Sequence, residues 1–127
     1  MAPAPIENML LTCRLLESAC VTGSGLPQPH AVVTLSEAAR PDRATPEGRE
    51  RIAAELTRHM DDVNRKLDPH EALELIAIAH DTWQIDNGFL TPTMKIKRGV
   101  IEAAYNPHAE RWYERGEKIV WETGATT

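Results

Sequence analysis

The sequence lacks the features of a membrane or nucleic-acid-binding protein. No apolar run approaches the roughly 20 residues that a membrane helix needs. The N-terminus "MAPAPIENMLL" has no basic segment ahead of an apolar one, so it does not resemble a signal peptide. Lys and Arg number 14 against 19 Asp and Glu, and the net charge of -5 repels nucleic acid and anionic lipid. Any phosphate-binding role must therefore be local.

Cysteine and nucleotide-binding motifs are also scarce. Cys13 and Cys20 are too few, and wrongly spaced, for a disulfide framework or a zinc site. We interpret both as small buried side chains of a protein in the reducing cytoplasm. The sequence has no Gly-rich phosphate loop and no acidic Mg²⁺ motif. We therefore expect the chain alone to bind no cofactor or metal and to be catalytically silent.

The composition that is present indicates one globular domain. Of the 127 residues, 42% are hydrophobic and 26% are charged, which is enough for a modest core. There is no internal repeat and no linker long enough to separate a second domain. We expect residues 1–127 to form a single domain with one core.

Hydrophobic spacing predicts the first half of the fold. Apolar residues on one helical face predict a first helix from Pro5 to Glu17. Residues 19–25 and 29–37 are rich in β-branched side chains and flank a Gly/Pro turn, so we predict two strands. After a polar loop, an N-cap at Thr45 followed by proline begins a helix that should run to Leu67.

The second half is predicted by shorter patterns. The apolar run Leu73–Ala79 indicates a strand buried on both faces. Asn87-Gly88 indicates a turn, and the alternation in "TMKIK" predicts a short strand with Met94 and Ile96 on one face and the lysines on the other. A helix that begins near Val100 follows.

The chain is then expected to break and return to the sheet. Asn106-Pro107 should end that helix and cap a second short one, and "EKIVWE" should form the last strand. The order of elements predicts an α+β domain, in which three main helices pack on a small sheet made of a short hairpin and central strands.

Histidine and tryptophan have structural interpretations. We expect His30 at the surface end of a strand, His59 as a packed or half-exposed helix residue, and His80 and Asp81 as a surface pair rather than a catalytic one. Three tryptophans are expected in the core, with a domain interface as the alternative: Trp83, Trp112 and Trp121.

Basic residues gather in one stretch, "NGFLTPTMKIKRGVIEAAY", where Lys95, Lys97 and Arg98 directly precede a helix. Positive charge there opposes the helix dipole by up to about 1 kcal/mol. The cluster is therefore either a solvated basic edge or a site that meets an anion. A lysine on a supported loop could reach a phosphate or carboxylate and stabilise developing charge. From the residues alone both interpretations stay open.

The segment "NGFLTPTMKIKR" resembles the C-terminal signature of adenylate-forming acyl-CoA synthetases, in the form typical of long-chain fatty acid-CoA ligases. The start, "APAPIEN", is similar to the segment just after the hinge that joins their large and small domains. The resemblance implies that residues 1–127 are a mobile C-terminal lid. The hinge residue and the large N-terminal domain, with the ATP and acyl pockets, would then lie outside this chain. The wider superfamily usually has Gly at the position of Met94, which favours the long-chain type.

The resemblance also implies a reaction. A carboxylic acid attacks the α-phosphate of magnesium-bound ATP to give an acyl-adenylate, and the thiol of CoA then displaces AMP. Lys95 takes the position of the family's adenylation lysine. Candidate substrate- or nucleotide-binding residues are Thr91, Thr93, Lys97 and Arg98. ATP, Mg²⁺ and CoA would serve the full enzyme, and no metal ligand is expected in this domain.

Partners and alternatives follow from the same resemblance. The expected partners are the large domain and the substrates of the enzyme, with no nucleic acid. Glu7 and Asn8 are candidates for docking that domain, although the helix dipole would also explain Glu7. Two alternatives stay open: the lid of an aryl-acid (feruloyl-like) CoA ligase, and a free-standing binding module that regulates a partner through its basic edge.

Overall fold

A computed structural model describes residues 3–22, 28–80 and 82–122. The α-helices and strands, in chain order, are α1 Pro3–Leu10, β1 Leu16–Thr22, β2 His30–Leu35, α2 Pro46–Asn64, β3 Ile76–Ile78, α3 Arg98–Arg115 and β4 Ile119–Trp121. Short 3-10 helices lie at Arg40–Ala44 and Pro69–Glu71. The predicted α+β class with three main helices is confirmed. Within the described ranges, none of the helices has the length and hydropathy needed to span a membrane.

The four strands form one mixed sheet in the order β1-β2-β3-β4. β1 and β2 pair antiparallel, with Val21 opposite Ala31. β2, β3 and β4 are parallel, with Val32 opposite Ala77 and Ala77 opposite Val120. Parallel neighbours need crossover connections, and α2 and α3 supply them. The predicted Gly/Pro turn between β1 and β2 lies outside the described residues.

The sheet is buried on both faces, so it separates two cores rather than covering the single one expected. Alternate strand residues point to opposite faces. With α1 and α2, one face buries the first core, which includes Ile6, Leu10, Val21, Val33, Ile52, Leu56, Met60, Ile76 and Ile78. With α3 and the segment before it, the other face buries the second core, which includes Cys20, Val32, Ala77, Trp83, Leu90, Ile101, Tyr105, Trp112 and Val120. The prediction of buried cysteines is confirmed for both Cys13 and Cys20.

The first helix is shorter than predicted, because it ends at Leu10 and Leu16 already belongs to β1. A turn connects them, closed by hydrogen bonds from Cys13 N to Leu10 O and from Leu16 N to Cys13 O, both 3.1 Å. Cys13 and Leu16 are nevertheless buried in the same core as Leu10. Their spacing imitates helical periodicity, which explains the overlong prediction.

The second helix begins as predicted. The Thr45 Oγ1 accepts a hydrogen bond from Gly48 N at 3.0 Å, and Pro46 occupies the first turn. A Cβ at Gly48 would lie 2.0 Å from the Asp42 carbonyl oxygen, so only glycine fits there. The helix ends at Asn64 rather than Leu67. The Asn64 amide exchanges two hydrogen bonds with the backbone of Leu73, of 3.1 and 2.8 Å, and leads the chain toward β3.

The third helix is continuous, so the predicted break at Asn106-Pro107 is wrong. Residues on one face are buried through its whole length: Ile101, Tyr105, Ala109 and Trp112. Pro107 and Ala103, whose carbonyl would have bonded the missing N–H, are on the exposed side. Water can solvate that carbonyl, while burial of the opposite face holds the helix together. Gly116, with φ of 69°, ends the helix in the left-handed conformation.

The histidine predictions were wrong for His30 and confirmed for His59, and for the pair of His80 and Asp81 only the exposure of His80 is tested. His30 is fully buried, because the C-terminal part of α3 covers the start of β2. Its surface placement was therefore wrong. His59 is half-buried, with Nε2 3.1 and 3.0 Å from the carbonyl oxygens of Met9 and Leu10. His80 is exposed, as expected, and Asp81 lies outside the described residues.

The tryptophans follow the core prediction in two of three cases. Trp83 and Trp112 are buried on the α3 side of the sheet. Trp121 is half-buried at the end of β4 and packs against the first core. The Arg43 guanidinium lies 5.2 Å from the centroid of the Trp121 ring, in a cation–π contact.

His30 is a neutral base inside the core. The Tyr113 hydroxyl donates to the Gln28 carbonyl, so it accepts from His30 Nδ1 at 3.2 Å. His30 Nε2 is then an unprotonated acceptor, with no partner within the described residues. Burial lowers the pKa of His30 from its ordinary 6.5 to about 4.

The buried imidazole predicts acid sensitivity. The unfolded chain binds a proton at this histidine below pH 6.5, whereas the folded chain binds it only near pH 4. Stability from neutral His30 is therefore complete above pH 6.5 and is lost as the pH falls to about 4. We compare the free energy of unfolding, measured by urea titration, at pH 7 and pH 4. Between these two values it should fall about 3 kcal/mol further in the wild type than in His30→Gln. Parallel pH profiles for the two proteins would contradict this assignment.

Candidate functional site

The candidate site lies on residues 82–97, which connect β3 to α3. Asn87 organises the first turn of this segment. Its Oδ1 accepts from Gln84 N at 2.9 Å and from Phe89 N at 3.3 Å, and its Nδ2 donates to Thr82 O at 2.9 Å. Gly88 takes a φ of 85°, which glycine adopts without steric cost. The predicted Asn-Gly turn is confirmed.

Aromatic packing anchors the segment to the second core. The Phe89 ring stacks on Tyr105 at 6.2 Å and lies 6.3 Å from Trp83, measured between ring centroids. Leu90 is buried beside them and forms an antiparallel bridge with Ile96. The base of the loop is therefore fixed before the chain reaches Lys95.

Above this bridge the chain makes a tight turn from Thr91 to Lys95. Thr91 N donates to Lys95 O at 2.7 Å, and Met94 N donates to Thr91 O at 2.8 Å. The Thr91 hydroxyl accepts from Lys95 N at 3.1 Å and lies 3.0 Å from the Thr93 hydroxyl. A threonine side chain that bonds its own backbone competes with strand pairing.

The predicted short strand through "TMKIK" is therefore wrong. Met94 has a φ of 67° and is 64% exposed, whereas Ile96 packs against the second core. The two side chains do not share a face, because the turn intervenes between them.

Lys95 is an exposed cation on a supported backbone. Both its N–H and its carbonyl are bonded to Thr91. Among the residues that the structure describes, no ion pair engages its ammonium group. The structure brings Thr91, Thr93 and Lys95 together on one turn, and a charge so held could meet a ligand oxygen.

Lys97 stands at the N-cap position of α3 without capping it. Its backbone N donates to Phe89 O at 2.8 Å, and its side chain makes no cap hydrogen bond. The side chain is exposed. The first turn of α3 therefore has no side-chain cap and carries positive charge next to it, which is unfavourable for the helix dipole.

Arg98 belongs to a different set of contacts. Its Nη1 and Nη2 bond the two carboxylate oxygens of Glu7 at 2.6 and 2.9 Å, and Nη1 also donates to Val21 O at 3.1 Å. The hydrogen bond to Glu7 raises the pKa of Arg98 above its ordinary value, and burial opposes it. Of the five predicted site residues, only Arg98 directs its side chain toward the interior of the domain. Direct nucleotide binding by Arg98 stays a prediction.

The pairing of Glu7 with Arg98 is what sequence reasoning missed, because Glu7 was considered only as a docking candidate or as a partner of the helix dipole. Glu7 is 7% exposed, and its Oε2 also accepts from Val21 N at 2.6 Å. It thus faces the interior, and only its neighbour Asn8 is exposed as a docking residue would be. One signal was present: Glu7 lies beside Ile6 and one turn from Leu10 on the apolar face of α1, where a charge needs a partner.

The polar groups next to the Glu7–Arg98 ion pair are inert or structural. Burial raises the pKa of the Cys20 thiol to about 12, which makes it a poor nucleophile. The Thr22 hydroxyl donates to Glu102 Oε2 at 2.7 Å, a second link between β1 and α3.

Among the described residues, one group has metal-ligand spacing: Asp68, His70 and Glu71, with ligand atoms within 4.8 Å of one another. It lies on the exposed connection between α2 and β3.

Comparison with known proteins gives a family match across most of the chain. The family described as AMP-binding enzyme C-terminal domain matches residues 1–117. A chloroplastic long-chain-fatty-acid–acyl-carrier-protein ligase of Arabidopsis thaliana is 28% identical over 115 residues, covering 87% of this chain. A peroxisomal long chain acyl-CoA synthetase of the same plant is 26% identical over 127 residues, covering 89%. The chain spans only 15% and 18% of the lengths of these two relatives.

Solved structures support the fold. The A domain of a carboxylic acid reductase from Segniliparus rugosus, solved with AMP and a co-purified carboxylic acid, is similar with a TM-score of 0.74 and 24% identity. The match covers 91% of this chain and 18% of that one. The adenylation domain of a Mycobacterium chelonae carboxylate reductase has a TM-score of 0.72 and 18% identity, over 86% of this chain and 17% of that one. At these identities the likeness is one of fold.

The left-handed backbone at Met94 predicts how substitutions there change stability. Glycine takes this conformation readily, so Met94→Gly should leave the free energy of unfolding unchanged or raise it by up to about 1 kcal/mol. A β-branched residue is strained there, so Met94→Val should lower it by about 1 kcal/mol. Urea titration of both variants beside Val100→Ala, an exposed control, measures the difference. Equal stabilities for Gly and Val would argue against the turn.

Proposed function

Because its family model covers residues 1–117, the chain belongs to the AMP-binding enzyme C-terminal domains, and we propose that it is the mobile lid of an ATP-dependent acyl-CoA synthetase. In this proposal a large N-terminal domain holds ATP, Mg²⁺ and the carboxylic acid, and the lid brings Lys95 to them. The observation that carries the proposal is the exposed cation of Lys95 on a backbone fixed by two hydrogen bonds to Thr91.

The proposed chemistry of Lys95 is electrostatic. When a carboxylate attacks the α-phosphate of ATP, negative charge gathers on the phosphoryl oxygens and pyrophosphate leaves. An ammonium held near the carboxylate and phosphate oxygens lowers the energy of that arrangement. Because the backbone that carries Lys95 is already ordered, little backbone entropy is lost at the moment of reaction. The hydroxyls of Thr91 and Thr93 and the ammonium of Lys97 are proposed to contact the nucleotide or acid from the same side.

The surface around Lys95 supports a role in which a second domain docks on it and covers it. Four large hydrophobic residues are exposed within the part of the chain that the structure describes, and three of them lie in or next to the same segment: Ile85, Met94 and Val100. Exposed apolar side chains near a charged group are typical of a surface that becomes buried on docking. Closure against a second domain would exclude water and complete the site, as lids commonly do.

The substrate class and the compartment are further proposals. We favour a long-chain fatty acid, because both plant relatives carry long-chain names and Met94 replaces the glycine usual in the wider superfamily. CoA would accept the acyl group in the second step. The cytoplasm is the proposed compartment, since both cysteines are unpaired and buried.

The proposal predicts that the isolated chain does not activate acids. The described surface offers Lys95 without a phosphate cradle, and the sequence contains no Gly-rich loop. ATP–pyrophosphate exchange by the purified 127-residue chain with a long-chain acid should stay at the level of a no-protein blank. Exchange above the blank that disappears in Lys95→Ala would show that the chain is itself an adenylating enzyme.

In the enzyme that contains this domain, the two half-reactions should respond differently to loss of Lys95. Lys95→Ala should lower adenylation by about 10²–10³-fold, because one charged donor to the transition state is lost. Thioester formation from pre-made acyl-adenylate should change far less. Lys97→Ala, an exposed lysine two positions away, is the matched control and should lower adenylation far less than Lys95→Ala. If both half-reactions fall equally in Lys95→Ala, the assigned role is incorrect.

A further inference from the structure

We propose that Glu7 and Arg98 form a positioning clamp for Lys95, and that Arg98 acts through the placement of the lysine turn rather than on the nucleotide. The catalytic consequence rests on the proposed function, whereas the mechanical one does not. The inference comes from the contacts that divide the basic cluster into an outward pair of lysines and an inward arginine.

The clamp is where three elements meet. Glu7 is on α1, Val21 is on β1 and Arg98 is the first residue of α3. The carboxylate accepts from Arg98 and from the Val21 N–H, while Arg98 also donates to the Val21 carbonyl at 3.1 Å. Every partner in this group therefore contacts the other two, across 91 residues of sequence between Glu7 and Arg98. Buried as it is, Glu7 cannot exchange Arg98 for water at little cost.

The clamp supplies what the start of α3 lacks. Lys97 gives no side-chain cap, and two lysines raise the positive charge where the helix dipole is already positive. The Glu7 carboxylate puts a negative charge at the first residue of the helix. It therefore offsets the unfavourable charge and fixes the direction in which the helix begins.

Arg98 is only three positions after Lys95 in the sequence, so the clamp also limits where the turn can go. At most about 3.5 Å of chain per residue gives a link of roughly 10 Å. That link is itself bonded, from Lys97 N to Phe89 O at 2.8 Å and from Ile101 N to Lys97 O at 3.0 Å. Releasing Arg98 would leave the turn held by these backbone bonds, without the side-chain connection to α1 and β1.

The chain offers a matched control one helical turn further along α3. The Thr22 hydroxyl donates to Glu102 at 2.7 Å and so links the end of β1 to α3, as the bond from Arg98 to the Val21 carbonyl also does. Along the chain, Glu102 follows Arg98, whereas Lys95 precedes it. Loss of this bond weakens the same packing contact without releasing the link to the lysine turn.

Hydrogen–deuterium exchange on the 127-residue chain tests the mechanical part. Glu7→Gln removes the charge and keeps the shape. We expect amides of residues 89–98 to exchange about tenfold faster in Glu7→Gln than in the wild type, and to be unchanged in Thr22→Val, which removes the hydroxyl that donates to Glu102. Amides of β2 and β3 report global stability in the same experiment. Unchanged exchange at 89–98 in Glu7→Gln, or equal acceleration in both variants, would overturn the clamp.

A milder variant guards against global loss of structure. Should exchange in β2 and β3 rise as well in Glu7→Gln, Arg98→Lys keeps a cation opposite Glu7 but loses the two-pronged bond. We then expect acceleration limited to residues 89–98. If exchange in Arg98→Lys rises uniformly through the sheet, the pair serves stability alone and the proposal fails.

Steady-state adenylation by the enzyme that contains this domain tests the catalytic part. A positioning role lowers kcat in both Glu7→Gln and Arg98→Lys, by about tenfold, while KM for ATP stays near the wild-type value. Direct nucleotide binding by Arg98 would instead raise KM for ATP in Arg98→Lys and not in Glu7→Gln, which would overturn the proposal. A wild-type enzyme without adenylation activity would refute the proposed function and leave the exchange result standing.

Discussion

Burial of both faces of a short sheet is the constraint on which the rest of the structure depends. β3 and β4 have three residues each, and all but the last residue of β4 are buried. Strands so short are held mainly by what packs on them, so helices must cover both faces. α2 covers one face and α3 the other, and the chain between β3 and α3 must cross the second face to reach the start of α3. Lys95 lies on that crossing.

Two sets of contacts hold the segment that crosses the second face. Aromatic stacking of Phe89 on Tyr105 fixes its base, and the hydroxyl of Thr91 closes its tip. The proposed role of Lys95 needs this combination, because a lysine side chain has many rotamers and only its backbone can be fixed in advance. The mobile part is then limited to the Lys95 side chain.

The basic cluster separates into two roles once the fold is known. Lys95 and Lys97 face solvent, whereas Arg98 is bound by Glu7. In a linear sequence the three charges are equivalent neighbours of one helix. The partner of Arg98 comes from the other end of the chain, and no local pattern links residue 7 with residue 98.

The sequence by itself determined the elements with strong local signals: the Thr45 cap, the stripe of α2, the buried run around β3, the Asn-Gly turn and the α+β class. The motif around Lys95 also pointed to the family that the comparison supports. Tertiary structure decided the rest. The end of α1, the continuity of α3 through Pro107, the burial of His30 and the pairing of Glu7 depend on which surfaces become covered. Local propensities are worth about 1 kcal/mol or less for most residues and about 3 kcal/mol for a proline inside a helix, so packing between distant segments can override them.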